Sequence, residues 1–236
     1  MTGSISRTNV LPCDLFRELV ILYCRAPRAA AQVQVEGPVD FYGVHFADKI
    51  EFRNLVFDDV FTGRAQFDGD VLFSSCEFRR GLDLSGAEFG GKLVFRNCKF
   101  GTGPEGSAIG ESALRLDHAK VAAQLSINAE EMTGLMSALH LEVGGGFKFI
   151  ESNIGTDKDS NAVNLDHAII AGTLDLNAYE ARDPGQDFAN SRKCTTFRGT
   201  FSATNMTVKG DIVCGASEVE GDLIIQNGNA RSISLE

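Results

Sequence analysis

FADKIEFRNLVFDDVFTGRAQFDGDVLFSSCEFRRGLDLSGAEFGGKLVFRNCKF, residues 46–100, decides the fold. Phe46, Phe67 and Phe89 lie 21 and 22 residues apart, and the same spacing relates Phe52, Phe73 and Phe95, and again Phe57, Phe78 and Phe100. Within each repeat the steps alternate between five and six residues, which no amphipathic helix of 3.6-residue period keeps on one face. Smaller apolar residues precede many of the phenylalanines by two positions: Val44, Leu55, Ala65, Cys76, Ala87 and Cys98. Two inward positions flanking one outward position are the signature of a short strand, and a fixed period of this length is that of a solenoid. The expected fold is all-β: a right-handed parallel β-helix with four faces and about seven coils of 21–22 residues. Equivalent phenylalanines then stack about 4.8 Å apart.

Downstream of residue 112 the arithmetic continues with aliphatic centres: Leu116, Val121, Ile127 and Met132, then Val143, Phe149 and Ile154, then Leu165, Ile170 and Leu176. LDHAKVAAQLSINAEE (116–131) and LDHAIIAGTLDLNAYE (165–180) are near copies, and Val208, Cys214, Val219 and Ile225 resume the pattern.

FSSCEF (73–78), LSGAEF (84–89) and FRNCKF (95–100) resemble pentapeptide repeat proteins, whose five-residue units build a four-sided right-handed β-helix. The resemblance spans roughly residues 40–230. Some proteins of that family mimic duplex DNA with an acidic rod and bind DNA gyrase, so the resemblance implies a DNA-mimic that targets a topoisomerase as one functional alternative.

The composition suits a soluble repeat protein: 236 residues, 43% hydrophobic, with 25 glycines against 5 prolines. The formal net charge of −10 argues against direct nucleic-acid binding, which needs clustered cations. The charge is uneven, +2 over residues 1–34 (four Arg, two acids), −3 over 35–100 (8 against 11) and −9 over 101–236 (10 against 19). The six cysteines show no zinc-ligand spacing, and no secretory signal precedes them, so a reducing cytoplasm is expected. The longest apolar run, LVILYC at 19–24, is too short to span a membrane. No phosphate-binding loop, metalloprotease motif or cofactor motif is present, so neither a metal nor a cofactor is expected.

Residues 1–34 are expected to form an N-terminal segment with a capping helix, and residues 35–236 the solenoid domain. In DLFRELVILYCR, Asp14 is the candidate N-cap and Leu15, Leu19 and Leu22 share one face. The helix would cover the first coil and its open strand edges. The other end ends in SISLE without such a cap, which leaves an edge for a second copy, as a homodimer through the C-terminal coil, or for a missing downstream segment to cover.

Three loops interrupt the repeat, at 101–112, 155–162 and 181–197. Following Phe100, Ile154 and a position near Glu180, all three are expected to leave one corner of the prism, where loops on a rigid scaffold make a binding site. The candidate binding residues are Glu105, Glu111, Asp157, Lys158, Asp159, Arg182, Asp183, Asp187, Arg192 and Lys193. The third loop also carries Cys194, a nucleophile only if a neighbour activates it.

Two of the four histidines recur in the repeated LDHA, as Asp117 with His118 and Asp166 with His167. Outward-facing Asp–His pairs are weak candidates for acid–base or metal chemistry, with Asp175 as a further carboxylate; their plainer role is that of solvated turn residues. A strict 22-residue coil would bring His140 between the pairs as a third member of a column. The similarity of SALRL (112–116), SALHL (137–141) and NAVNL (161–165) instead makes Leu141 the central residue and leaves the column with two. The functional expectation is a non-catalytic scaffold that binds a protein partner through the loop-bearing corner and the acidic exterior. The alternatives are the gyrase-binding mimic, an enzyme or metal site built on the Asp–His pairs, and the scaffold part of a toxin, effector or defence protein.

Overall fold

A computed structural model of the chain describes residues 9–23, 32–62, 64–101, 112–155, 159–178, 194–215 and 217–234. The architecture is a parallel β-helix with four strand rows. Face 1 runs through Val33–Glu36, Leu55–Phe57 and Glu77–Phe78 to Asn153–Gly155, Thr196–Arg198 and Glu218–Val219. Face 2 runs from Val39–Asp40 to Leu223–Ile224, face 3 from His45–Phe46 to Thr207–Val208, and face 4 from Ile50–Arg53 to Ser232–Ser234. Leu93–Phe100 and Leu125–Met132 turn the corner from face 4 to face 1 as single strands and so join those rows into one 15-stranded sheet. Every pairing is parallel, as coils wound in one direction require.

The phenylalanine spacing is realised as three ring ladders. Phe46, Phe67 and Phe89 stack at 5.0 and 5.0 Å, with ring planes 9° and 1° apart. Phe52, Phe73 and Phe95 stack at 4.7 and 5.2 Å, and Phe57, Phe78 and Phe100 at 5.1 and 5.3 Å. Between ladders the rings meet edge to face, as in Phe73 with Phe78 (5.5 Å, 75°) and Phe95 with Phe100 (5.6 Å, 73°). Each such pair contributes about 0.5–1.5 kcal/mol beyond the area it buries. Backbone bonds run from coil to coil, for example Gln66 N–H to the Val44 carbonyl and Lys120 N–H to the Ala87 carbonyl (both 2.9 Å).

In the second half the same inward columns carry different chemistry. On face 1 the column of Cys76, Cys98 and Ala129 continues as the buried Ser152 and Thr195. The Cys98 thiol donates to the Phe73 carbonyl (3.5 Å), and burial pushes its pKa well up. Ser152 plays the same part with the Ile127 carbonyl (3.0 Å) and also accepts from Ala129 N–H (3.1 Å).

The register of the middle coil overturns the expected two-member histidine column. Arg115 pairs with Ser137 and Val121 with Val143, so this coil keeps 22 residues and Ala138, not Leu141, stands beside Leu116. Leu141 stands instead beside Ala119 and Ala168. Leu116/Ala119 and Leu165/Ala168 thus alternate with Ala138/Leu141 and Ala203/Met206, all buried. Large and small side chains exchange columns from one coil to the next, which keeps the volume of each coil and disguises the register in the sequence.

The helix spans Cys13–Tyr23, so Asp14 lies in its first turn, where a carboxylate suits the helix dipole, and is not the N-cap. Its core face is also not the expected leucine stripe. Phe16 and Val20, one turn apart, are fully buried, whereas Leu15 is 47% exposed. Phe16 sits against Phe41, Phe52 and Phe57 and closes the end of the ladders. A strand not anticipated from the sequence, Asn9–Pro12, precedes the helix and pairs with Val33–Glu36. At the opposite end, Leu223 and Ile233 are 40% and 52% exposed.

Candidate functional site

The corner between faces 2 and 3 is a column of left-handed turn residues: Gly86, His118, His140, His167, Asn205 and Asn227, with φ between 49° and 65°. Glycine, asparagine and histidine are the residues that enter this region most readily, so backbone geometry selects the residue types here. Its result is a stack of three imidazoles. His118 and His140 lie 4.9 Å apart with planes 10° from parallel, and His140 and His167 lie 4.8 Å apart at 16°. All three are exposed.

The neighbouring carboxylates bind the next coil. Asp117 Oδ1 accepts from Ser137 Oγ (2.6 Å) and Leu139 N–H (2.9 Å), with Arg115 Nε 3.7 Å from its other oxygen. Asp166 Oδ1 accepts in the same way from Ser202 Oγ (2.8 Å) and Thr204 N–H (2.7 Å). Two coils separate these carboxylates, about 10 Å of rise, and Asp175 is on face 4 beside Lys148. The three therefore do not converge. Stacked imidazoles present their in-plane lone pairs side by side, and among the described residues no group of three or more ligating side chains is placed to hold a metal ion.

The expected gathering of the loops is corrected by their anchors. Gly101 leads to Ser112, and Gly155 to Asn161, from face 1 into face 2. The third interruption leaves Ala178 on face 4 and re-enters at Thr196 on face 1, a different corner. The strand Leu174–Ala178 follows the register of Phe147–Ile150, which places its end one face earlier than an even continuation of the repeat suggests. At the first corner Gly155 has φ +98° and faces the Arg198 carbonyl so closely that a Cβ there would collide with it. Of the predicted loop residues, Asp159 is described and exposed. Glu105, Glu111, Asp157, Lys158, Arg182, Asp183, Asp187, Arg192 and Lys193 lie outside the described residues. Cys194 is exposed at the edge of its loop.

A feature that the sequence reading missed is an open groove of about 490 Å³ along face 3. Gln66, Glu88, Lys120 and Glu142 form one bank, and Asp68, Gly90, Ala122 and Gly144 continue the floor. The small residues follow the inward Phe89, Val121 and Val143 by one position, a pattern visible in the aligned coils. A Cβ at Gly144 would strike the Ala122 carbonyl, so close coil stacking keeps the floor bare. Charges along the bank are tied to one another: Lys120 lies 3.8 Å from Glu88, and His45 Nε2 lies 2.8 Å from Asp68, a hydrogen bond that lowers the Asp68 pKa.

No family model, curated protein or solved structure matches this chain. Among the described residues no helix is long and apolar enough to cross a membrane.

Proposed function

We propose that this chain is a cytoplasmic, non-catalytic scaffold of the pentapeptide repeat type that binds a protein partner on its exterior. The observation that carries the reading is the groove of face 3, a straight recess of about 490 Å³ between a charged bank and a floor of Gly90, Ala122 and Gly144. Its rigidity follows from the packed interior, and a rigid, preorganised recess loses little freedom when a partner segment enters. Two further observations support a non-catalytic role. Asp117 and Asp166 are committed to the next coil, and Cys98 is buried with its thiol pKa pushed up. The interruptions at 101–112 and 155–162, whose anchors share one corner, are the second place where the partner binds in this reading, and a second copy seats on the exposed Leu223 and Ile233.

Affinity capture with the intact chain, with residues 182–193 deleted so that the strand Thr196–Arg198 and the buried Thr195 are kept, and with Ala122→Trp separates the surfaces. Ala122 is exposed on the groove floor, so the indole fills the recess without entering the core. Loss of the same captured protein with Ala122→Trp supports the groove, and loss with the deletion supports the third loop. An unchanged set of captured proteins in both variants refutes the reading.

A further inference from the structure

We infer that the face 3 groove takes a proline-rich segment in the left-handed polyproline II conformation, with Lys or Arg at every third residue. The inference rests on the reading of this groove as the partner site and names the chemistry of its occupant.

The bank fixes where charge is wanted. Glu88, Lys120 and Glu142 stand in register on successive coils, so the bank runs negative, positive, negative. Lys120 lies 3.8 Å from Glu88, whereas among the described residues Glu142 has no ion-pair partner. Asp68, on the first coil of the floor, is tied to His45 Nε2 (2.8 Å) and Gln66 Nε2 (3.1 Å). The groove thus sets the carboxylates of Asp68, Glu88 and Glu142 against the single ammonium of Lys120. Its complement is a pair of cations that meet Glu88 and Glu142 and skip the coil of Lys120.

Coil spacing then selects the conformation. Equivalent rings on this face step by 5.0 Å, so Glu88 and Glu142, two coils apart, are about 10 Å apart along the rod. A polyproline II helix advances about 3.1 Å per residue with three residues per turn, so side chains at i and i+3 share one side at about 9.3 Å. A β-strand repeats its side at about 6.7 Å, which meets neither one coil nor two. An α-helix repeats at about 5.4 Å, which sets a side chain against Lys120.

The floor agrees with this choice. The N–H groups of Gly90, Ala122 and Gly144 donate to the carbonyls of Phe67, Phe89 and Val121 (2.6, 2.8 and 2.8 Å), so the floor has no donor left for an added strand. A polyproline II segment needs none, because its backbone is solvated and its prolines carry no N–H. With the cations on the bank, a second side of the three-sided helix lays proline rings on the bare floor and the third faces water. Past Glu142 the bank continues with Ile169, in register with it and 45% exposed, an apolar contact for the turn that follows the second cation.

The test follows the amide signals of Gly90, Ala122 and Gly144 by two-dimensional NMR while the intact chain is titrated with one of two end-capped peptides of equal charge, Arg-Pro-Pro-Arg-Pro-Pro or its permutation Arg-Arg-Pro-Pro-Pro-Pro. The spaced peptide is expected to shift all three signals, and the permuted one to bind about two- to fivefold more weakly, the worth of one exposed ion pair. Glu142→Gln weakens the spaced peptide by about the same factor, and the fold bears it because Gln66 already stands in this column. Lys120→Gln tightens binding by removing the one ammonium of the bank, a sign that damage to the fold does not produce. High salt weakens binding, since these charges are exposed, and Ala122→Trp abolishes it by filling the recess. Equal binding of the two peptides, binding that survives Ala122→Trp, or no shift at the three amides overturns the inference. A protein whose capture Ala122→Trp still abolishes would in that case keep the groove as the partner site with an occupant of other chemistry, so failure of the inference and failure of the groove are told apart.

Discussion

From Phe46 to Phe100 the interior repeats itself, one phenylalanine standing on another in three ladders. From Ser112 to Cys214 the same columns hold Ile127, Phe149, Leu176 and a run of exchanged alanines and leucines. Both halves reach the same closed packing, but by different rules. The aromatic half specifies its register many times over, since a slipped coil breaks every ring stack at once. In the aliphatic half, register depends on volumes that match only within a coil, and on hydrogen bonds such as those of Ser152. Regularity and variety are thus divided along one rod: the interruption at 101–112 marks the boundary, and those at 155–162 and 181–197 fall where the rules are looser.

The largest effect that breaks the comparison is expected at the ladder centre. Phe73 stacks on both Phe52 and Phe95, and Phe73→Ala removes two stacks and leaves a cavity, costing about 3–5 kcal/mol. Ile127→Ala, in the same column, costs about 2–4 kcal/mol. Denaturant midpoints in urea measure both. Equal losses would mean that the rings contribute volume and nothing more.

The exchange of large and small residues gives a sharper test. Leu141→Ala alone costs about 2–4 kcal/mol and Ala138→Leu alone about 1–3 kcal/mol, the first by a cavity and the second by overpacking. The double variant restores the arrangement of Leu116/Ala119 and recovers most of the loss, so the cycle gives a large favourable coupling. Additive losses would refute volume compensation within the coil.

The smallest effect concerns the last coil, outside both packings. Asp211 accepts from Arg231 Nε (2.8 Å) and Ser232 Oγ (2.7 Å), and the Arg231 guanidinium first, with the Ser232 hydroxyl, holds its pKa down at about 2. The folded value lies below the ordinary 3.8, so the stabilisation is present above about pH 4 and is lost as the pH falls through about 2. Thermal midpoints of the wild type and Asp211→Asn should differ slightly at pH 5 and converge towards pH 2. A gap that persists at pH 2 would assign the contribution to packing instead of charge.

How much of this was readable beforehand follows the same division. The ladders were legible because Phe46, Phe67 and Phe89 announce their own spacing. The histidine stack was not, because SALHL at 137–141 resembles SALRL at 112–116 shifted by the Ala138/Leu141 exchange, and local likeness outweighed the coil length that the backbone keeps. The helix was visible, but its buried face was set by the ring of Phe16 seeking Phe57 and not by the count of leucines. The third loop was assigned to the wrong corner because spacing alone does not say how many faces an interruption replaces. The groove was hidden for a simpler reason: it consists of side chains that are missing, at Gly90, Ala122 and Gly144.

The backbone bonds between coils all lie along the axis of the rod. Tension applied between its two ends would therefore load successive coils in series, like links of a chain, and not in parallel as in a sheared sheet. The weakest link yields first, and because the ring ladders clamp the coils from Phe46 to Phe100 to one another, the rod gives way outside them and keeps its aromatic half longest.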